Sequence, residues 1–249
     1  MLKSERQNEI IEILNTRGFV SVTELSALLY ASESSIRRDL ARLEERGIVK
    51  RSYGGAECIL SGSHVLPFDT RNCDFVEEKN AIAKKALTLI KEGDVIFLDQ
   101  SSTSYFLALY LRNYKDITVV TNNIEIVSLL SKTNVTVHCT GGIISKNNTN
   151  CLIGGSAQSA FERVFADVAF FSAHGSTSDG GIVDCTDEET HLRASMFKNA
   201  AKKVFLCNSA KLDRRAPFVQ CDLSAIDVLV CEDASFKKFG DRYPRLTVL

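Results

Sequence analysis

No stretch of this chain stays apolar for the about 20 residues that a membrane-spanning helix needs. Its first residues, Met1-Leu2-Lys3-Ser4-Glu5-Arg6, run straight into a polar helix with no signal-peptide pattern. A cytoplasmic protein without membrane contact is therefore expected. There is no C-x-x-C pair either. The eight cysteines are scattered at 58, 73, 139, 151, 185, 207, 221 and 231, mostly in or beside strand-like apolar runs, and read as free, buried thiols. The four histidines, at 64, 138, 174 and 191, lack ligand spacing, so no metal site and no cofactor is expected. Nor is positive charge in excess: the net charge is −1. That excludes nucleic-acid binding by bulk charge and leaves local basic patches.

What is present is apolar bulk, 45% of 249 residues, enough for one large core and a small satellite domain. The most informative segment is Ser32-Glu33-Ser34-Ser35-Ile36-Arg37-Arg38-Asp39-Leu40. Ile36, Leu40 and Leu43 fall at i, i+4 and i+7 on one helical face. Ser34, Ser35, Arg37 and Arg38 then point elsewhere near the helix start, where a helix in the DNA major groove needs hydroxyls and guanidinium forks. Upstream, Ile10, Ile11 and Leu14 mark a helix over about residues 5–16 that Gly18 stops. Ser21-Val22-Thr23-Glu24 fits a capping box opening a short helix, with Val22, Leu25 and Leu28 or Leu29 facing inward. Tyr30-Ala31 is a turn, and Ser32 caps the next helix. This is a helix-turn-helix layout at about residues 20–39. After Gly47, Ile48–Tyr53 reads as a strand and Gly54-Gly55 as a reversal, making a basic wing. From Ile36 to Arg51 there are six basic and three acidic residues, a local +3. The alternative for the arginines is a solvated face with pairs such as Arg38 with Arg42 and Glu45.

The run I-R-R-D-L-x-x-L-E-x-x-G-I-V-K-R-x-x-G-G-A resembles the amino-terminal domain of DeoR-type bacterial transcription regulators. The resemblance implies that Ser32, Ser35, Arg37 and Arg38 face DNA, with Lys50 and Arg51 on the wing; Ser34 joins them from the helix phasing.

Residues 59–75 read as a linker, with Ser61-Gly62-Ser63 and Pro67 breaking the periodicity. From Glu77 the chain alternates helix and strand: a helix around Glu78–Ile90, then apolar strands at Val95–Leu98, Ile117–Val120, Val135–His138, Val168–Phe171, Val204–Leu206 and Val228–Val230. Continuously apolar strands separated by helices predict a mostly parallel sheet covered on both faces. The expected fold class is α/β: a winged helix-turn-helix domain at 3–58 and a larger α/β domain at 76–249.

Ligands of such sheets bind where strands end. Asp99–Ser104 is hydroxyl-rich and opens a helix, which suits a phosphate. Thr121-Asn122, Gly141-Gly142 and Asn208-Ser209-Ala210-Lys211 end other strands. Together they suit a phosphorylated polyol, although Ser and Thr at such turns are equally explained as plain N-caps. Gly93–Asp99, Ser102-Thr103, Ile117–Asn122, Gly141-Gly142, His174-Gly175 and Ser209-Ala210-Lys211 resemble the DeoR-type sensor domain, similar in fold to ribose-5-phosphate isomerase and glucosamine-6-phosphate deaminase. The resemblance implies an effector site lined by Asp99, Ser101, Ser102, Thr103, Thr121, Asn122, Gly141 and Lys211. Ser101 stands where the family usually has glycine, Asn208 where it has Asp, and Cys231-Glu232-Asp233 where a Thr-Asp pair is common.

The resulting expectation is a DNA-binding transcriptional regulator, a repressor of a sugar operon, with double-stranded operator DNA, a phosphorylated sugar and further copies of itself (dimer or tetramer) as partners. The alternative is a sugar-phosphate isomerase or deaminase, for which Glu188, Asp184 or Asp179 could serve as base. The fused helix-turn-helix favours the regulator.

Overall fold

The computed structural model describes residues 3–45, 48–58 and 66–249. The chain forms two compact units divided between Leu66 and Pro67. Among the described residues, no helix is long and apolar enough to cross a membrane. Gly47, expected at the start of the wing, and residues 59–65 of the expected linker lie outside the described residues.

The first unit runs α1 (Lys3–Arg17), β1 (Phe19–Ser21), α2 (Val22–Leu28), α3 (Glu33–Glu45), β2 (Val49–Ser52) and β3 (Gly55–Cys58). Gly18 takes a left-handed conformation (φ +74°), and its N–H donates to the Leu14 carbonyl at 2.8 Å, closing α1. The capping box at α2 forms in full: Ser21 Oγ accepts from Glu24 N–H, and the Glu24 carboxylate accepts from Ser21 N–H at 3.0 Å. Ile10, Leu14, Leu25, Ile36, Leu40, Leu43 and Val49 are fully buried together. Each contributes about 1.5–3 kcal/mol through lost apolar exposure. Of the two alternatives for the third inward residue, Leu29, the C-cap of α2, is buried, while Leu28 is 41% exposed. The sheet order is β1-β3-β2, antiparallel throughout. Gly55 is required by close approach, because a Cβ there would sit 2.4 Å from the Val20 carbonyl oxygen.

Asp39 is the unexpected part of this core. It lies on α3 at 1% exposure, and its carboxylate accepts from Arg6 Nε at 2.6 Å and Gln7 Nε2 at 3.1 Å. The pair ties α1 to the helix carrying the exposed arginines.

The second unit contains α4 (Phe68–Cys73), α5 (Val76–Leu87), β4 (Val95–Leu98), α6 (Ser102–Leu111), β5 (Thr118–Thr121), α7 (Ile124–Leu130), β6 (Thr136–Cys139), β7 (Ile143–Ile144), β8 (Leu152–Ile153) and α8 (Gly155–Glu162). It continues with β9 (Ala166–Phe171), β10 (Gly175–Ser176), β11 (Gly181–Asp184), α9 (Asp187–Lys198), β12 (Ala200–Leu206), β13 (Phe218–Asp222), β14 (Val228–Val230), α10 (Lys237–Arg242) and β15 (Thr247–Val248). Seven strands form one parallel sheet in the order β15-β14-β12-β9-β4-β5-β6. Ile96, Leu98, Phe170, Val204 and Leu206 pack on one face with residues of α5, α6 and α7. Phe97, Ala169 and Val120 pack on the other with α8 and α9, and Phe171, Phe205 and Leu229 with α10. Burial on both faces is why these strands are apolar at every position. The short strands β10, β11 and β13 form a separate antiparallel sheet, and β7 pairs with β8.

Two expectations need correction. Residues 68–73, expected as linker, are helical: Phe68 is 5% exposed and stacks edge-on against Tyr105 at 5.5 Å, so burial holds them to the second unit. Not all thiols are buried, since Cys73 and Cys139 are exposed. Burial pushes the thiols of Cys185, Cys207 and Cys221 up to about 12, which keeps them protonated and unreactive.

Truncating Asp39 leaves Arg6 and Gln7 without their acceptor. Asp39→Ala is expected to cost the first unit about 2–3 kcal/mol, read from its urea transition in the full chain. A midpoint equal to that of the unsubstituted protein would mean that the pair is idle.

Candidate functional site

In the first unit, the start of α3 is open to solvent. Ser32 caps it, accepting from Ser35 N–H at 3.3 Å, and its hydroxyl also meets Ser34 Oγ and Ser35 Oγ. Ser32, Ser34, Arg37 and Arg38 are exposed, and Ser35 is half-buried. Arg37 pairs with Glu33 at 2.9 Å, and Thr23 Oγ1 donates to the same carboxylate at 2.9 Å, linking α2 to α3. These hydrogen bonds, Arg37 first, hold the Glu33 carboxyl below its ordinary range. Arg38 turns back on the Ser34 carbonyl and Ser35 Oγ. On the hairpin, Lys50 lies 3.6 Å from Glu57 and Arg51 2.6 Å from Glu44, all exposed. Exposed pairs contribute little net stability, so every one of these cations can exchange its acid for a phosphate or a guanine edge.

In the second unit, chain order reverses between β4 and β9, the position where parallel sheets open a crevice at the strand ends. Asp99 leaves β4 there, fully buried. Its Oδ1 accepts from Ser101 N–H (3.1 Å), Ser101 Oγ (2.6 Å) and Ser104 Oγ (2.6 Å). Its Oδ2 accepts from Ser172 N–H at the end of β9 and from Arg193 Nε, both at 3.1 Å. Ser101 is also the N-cap of α6, accepting from Ser104 N–H at 3.0 Å. The Ser101 hydroxyl is thus engaged with Asp99 Oδ1, Ser104 Oγ and Ser104 N–H, and for Ser101 the N-cap reading holds.

Ser102 and Thr103 are different. Both are buried in the first turn of α6, and neither hydroxyl holds a hydrogen bond among the described residues. Their backbone N–H groups are the unpaired donors of a helix start. Lys211, on the turn after β12, donates to Ser172 Oγ (2.7 Å) and the Ala173 carbonyl (2.8 Å), which brings its ammonium to the same strand ends. Burial lowers its pKa. Thr121 accepts from Asn123 N–H at 3.1 Å, a turn contact. Asn122 donates to the Leu152 carbonyl at 3.2 Å, while its Oδ1 is buried without a partner, as are Asn208 Oδ1 and Thr186 Oγ1. Buried polar atoms are nearly always paired, and among the described residues Asn72 Oδ1 and Asn123 Nδ2 lack a partner as well. Gly141 takes φ +67° with open space on its Cβ side, and among the described residues no hydrogen bond joins it to Asp99, Ser102, Thr103 or Lys211.

The residues that sequence reasoning missed neutralise this site. Arg193, on α9 and fully buried, pairs with Asp184 (2.8 Å), Asp99 (3.1 Å) and Glu189 (3.6 Å). Burial alone would lower its pKa, but Asp184, Asp99 and Glu189 outweigh burial and raise it. Glu189 accepts from Gln100 Nε2 (2.7 Å) and Asn148 Nδ2 (3.0 Å), and Arg71 Nη2 donates to Asn148 Oδ1 (3.2 Å). Burial, then Asp184, raises the Glu189 pKa. The usable signal was helical phase: Glu189 and Arg193 are i, i+4 beside Leu192 and Met196 on the buried face of α9. Of the carboxylates considered as bases, Glu188 is exposed, Asp179 is a surface group bonded to Thr177, and Asp184 is held by Arg193. Glu189, not Glu188, faces inward.

Comparison with known proteins adds an independent line. The family model described as the DeoR C terminal sensor domain matches residues 74–233, and that of the DeoR-like helix-turn-helix domain matches residues 6–61. The chain is 36% identical over 246 residues to the HTH-type transcriptional regulator GolR of Listeria innocua, covering 97% of this chain and 96% of that one. It is 28% identical over 242 residues to the lactose phosphotransferase system repressor of Staphylococcus epidermidis, covering 96% and 95%. Among solved structures, ribose 5-phosphate isomerase A of Methanocaldococcus jannaschii is similar with 18% identity and a TM-score of 0.40, covering 54% of this chain and 53% of that one.

Removing Arg193 strands three buried carboxylates. Arg193→Met is expected to destabilise the second unit by about 3–5 kcal/mol, read from its thermal transition. An unchanged transition would show that the carboxylates do not depend on Arg193.

Proposed function

The chain belongs to the DeoR family of helix-turn-helix transcriptional regulators, and from that premise we propose that it is a sequence-specific repressor of sugar catabolism, released from its operator by a phosphorylated sugar. The observation that carries the effector half is the start of α6. Unpartnered hydroxyls of Ser102 and Thr103 and free N–H groups sit beside Asp99, and the Lys211 ammonium reaches the neighbouring strand end. A phosphate is the ligand that matches free N–H groups, hydroxyls and a cation. Asn122, Asn208 and Gly141 end the flanking strands and suit the sugar hydroxyls. The relative named as a lactose phosphotransferase system repressor supports both the sugar and the sign of control.

The DNA half rests on Ser32, Ser34, Ser35, Arg37 and Arg38 in one groove-facing turn, with Lys50 and Arg51 on the wing. The unit's charge is too balanced for tight monomeric binding, so we read the working form as a homodimer or tetramer. Two α3 helices then reach successive major grooves about 34 Å apart. An isomerase or deaminase would need a carboxylate free to take a proton. Asp184 is committed to Arg193, and Glu189 to Gln100 and Asn148, which favours sensing over turnover. Control follows from linkage: a ligand that prefers the DNA-free arrangement weakens DNA binding by the same factor, about 5- to 150-fold in typical couplings.

The test is fluorescence anisotropy of the full chain on the duplex upstream of its own gene, against a scrambled duplex at two salt concentrations. Binding that prefers the native duplex is expected; equal affinity for both would overturn the operator reading. On that duplex, Arg37→Ala is expected to cost about 1–3 kcal/mol if it forks onto guanine. Lys50→Ala should instead lower the salt slope by about one, as loss of a phosphate contact does.

Binding is also expected to take up protons. Burial first, then Lys211, lowers Lys79 to about 7, whereas an unfolded lysine titrates near its ordinary 10.5. Below about pH 7 the ammonium is buried in full charge; its cost is relieved as pH rises through the folded value. A phosphate ester bound beside Lys211 raises that value through space without contacting Lys79, so affinity falls by no more than a few-fold as pH rises above about 7. Calorimetry at pH 8, in buffers of different ionisation enthalpy, should report net proton uptake. At that pH the ester, with a second pKa of about 6, contributes none. Proton release or no exchange would contradict the assignment.

A further inference from the structure

The short helix α4 stands at a junction that the effector reading leaves unused. It is the first element of the second unit, reached from the DNA-binding unit through the chain before Pro67. Its residues also meet the ligand site in two directions. Phe68, 5% exposed, stacks edge-on against Tyr105 of α6, the helix whose first turn holds Ser102 and Thr103. Arg71, one turn further on, donates to Asn148 Oδ1, and Asn148 in turn donates to Glu189.

The far end of α4 is clamped from α5. Lys79 is only 3% exposed, and its ammonium donates to the carbonyls of Arg71 and Asp74. A buried cation on the last carbonyls of a helix satisfies acceptors that have no partner within the helix. The same ammonium lies 5.6 Å from the Phe106 ring of α6. The groups acting on it electrostatically are Lys211, Asp74, Arg71 and Cys73. Two of these, Lys211 and Arg71, are cations, and each works against a charged Lys79. An anion at the site removes that opposition, while the donor contacts to α4 stay where they are.

Resting on the sugar-phosphate reading, we propose that α4 is the reporting element of the sensor: Arg71 carries ligand occupancy onto the helix, Lys79 and Phe68 fix its pose, and the helix passes the change to the segment leading to the DNA-binding unit. Lys79 and Phe68 are positioning residues that touch α4 and its supports, not the ligand. Disturbing them should therefore separate ligand binding from the DNA response. A residue that merely contributes stability would not separate the two.

The experiment uses the full chain with the tightest binder among ribose 5-phosphate, glucose 6-phosphate, fructose 6-phosphate and inorganic phosphate. Calorimetry gives the affinity, anisotropy gives DNA binding with and without the ligand, and hydrogen exchange follows the amides of residues 68–73. Lys79→Met keeps most of the side-chain bulk and loses the clamp; Phe68→Leu loses the stack and serves if the first variant does not fold. Both are expected to bind the phosphate compound within a few-fold of the unsubstituted chain and to bind DNA normally without it. The ligand-induced loss of DNA affinity should collapse toward onefold, and ligand should no longer protect the amides of 68–73. A response retained in both variants overturns the proposal. So does loss of ligand binding in step with loss of response, which would make α4 part of the binding site. Should the unsubstituted chain bind none of the four compounds, the effector reading falls and this proposal falls with it.

Discussion

Five donors converge on the Asp99 carboxylate at the point where the parallel sheet reverses its strand order, and much of the sensor unit is organised by that convergence. One oxygen gathers the turn that starts α6. The other joins the end of β9 to Arg193 on α9. A carboxylate buried this deeply persists only with its charge matched and its lone pairs used. Arg193 supplies the match, and in doing so brings Asp184 and Glu189 into the same interior. The interior around Asp99 is therefore lined by groups already balanced against one another. Among the described residues, Asn122 Oδ1, Asn208 Oδ1 and Thr186 Oγ1 are buried without a partner.

The DNA-binding unit is built on the opposite principle. Its core is apolar, the buried contact of Asp39 with Arg6 and Gln7 holds α1 against α3, and the cations of α3 and the hairpin stay on the surface against weakly bound acids. Such cations give up little when they change partner. The two units thus divide the work. One keeps its charges exposed and exchangeable, and the other keeps them buried and fixed.

The elements that sequence made legible are those whose signal is local. Ser21 and Glu24 announce α2, and Ile36, Leu40 and Leu43 phase α3. The unbroken apolar runs at Val95–Leu98 and Val204–Leu206 can only be strands covered on both faces. What escaped depended on distant partners. Nothing near Asp39 in the chain marks it as buried, because its partners lie on α1. Glu188 and Glu189 are adjacent, and only the phase of α9, set by packing on the sheet, turns the second one inward. Pro67 was read as a breaker, yet proline also starts helices, and burial of Phe68 decided between the two. In the candidate site, Ser101 proved to be an N-cap serving Asp99, while Ser102 and Thr103 beside it kept their hydroxyls unengaged. The sequence could mark the loop but not assign its individual hydroxyls, since each assignment is a matter of geometry.

The measurement closest to the central claim compares one sugar phosphate with the same sugar lacking its phosphate, on the full chain bound to its own upstream duplex. The account requires the phosphate ester to weaken DNA binding, by about 5- to 150-fold as in typical couplings, and the parent sugar to leave it unchanged. An equal effect from both, or release only by the unphosphorylated sugar, would contradict a site built around a phosphate at the start of α6.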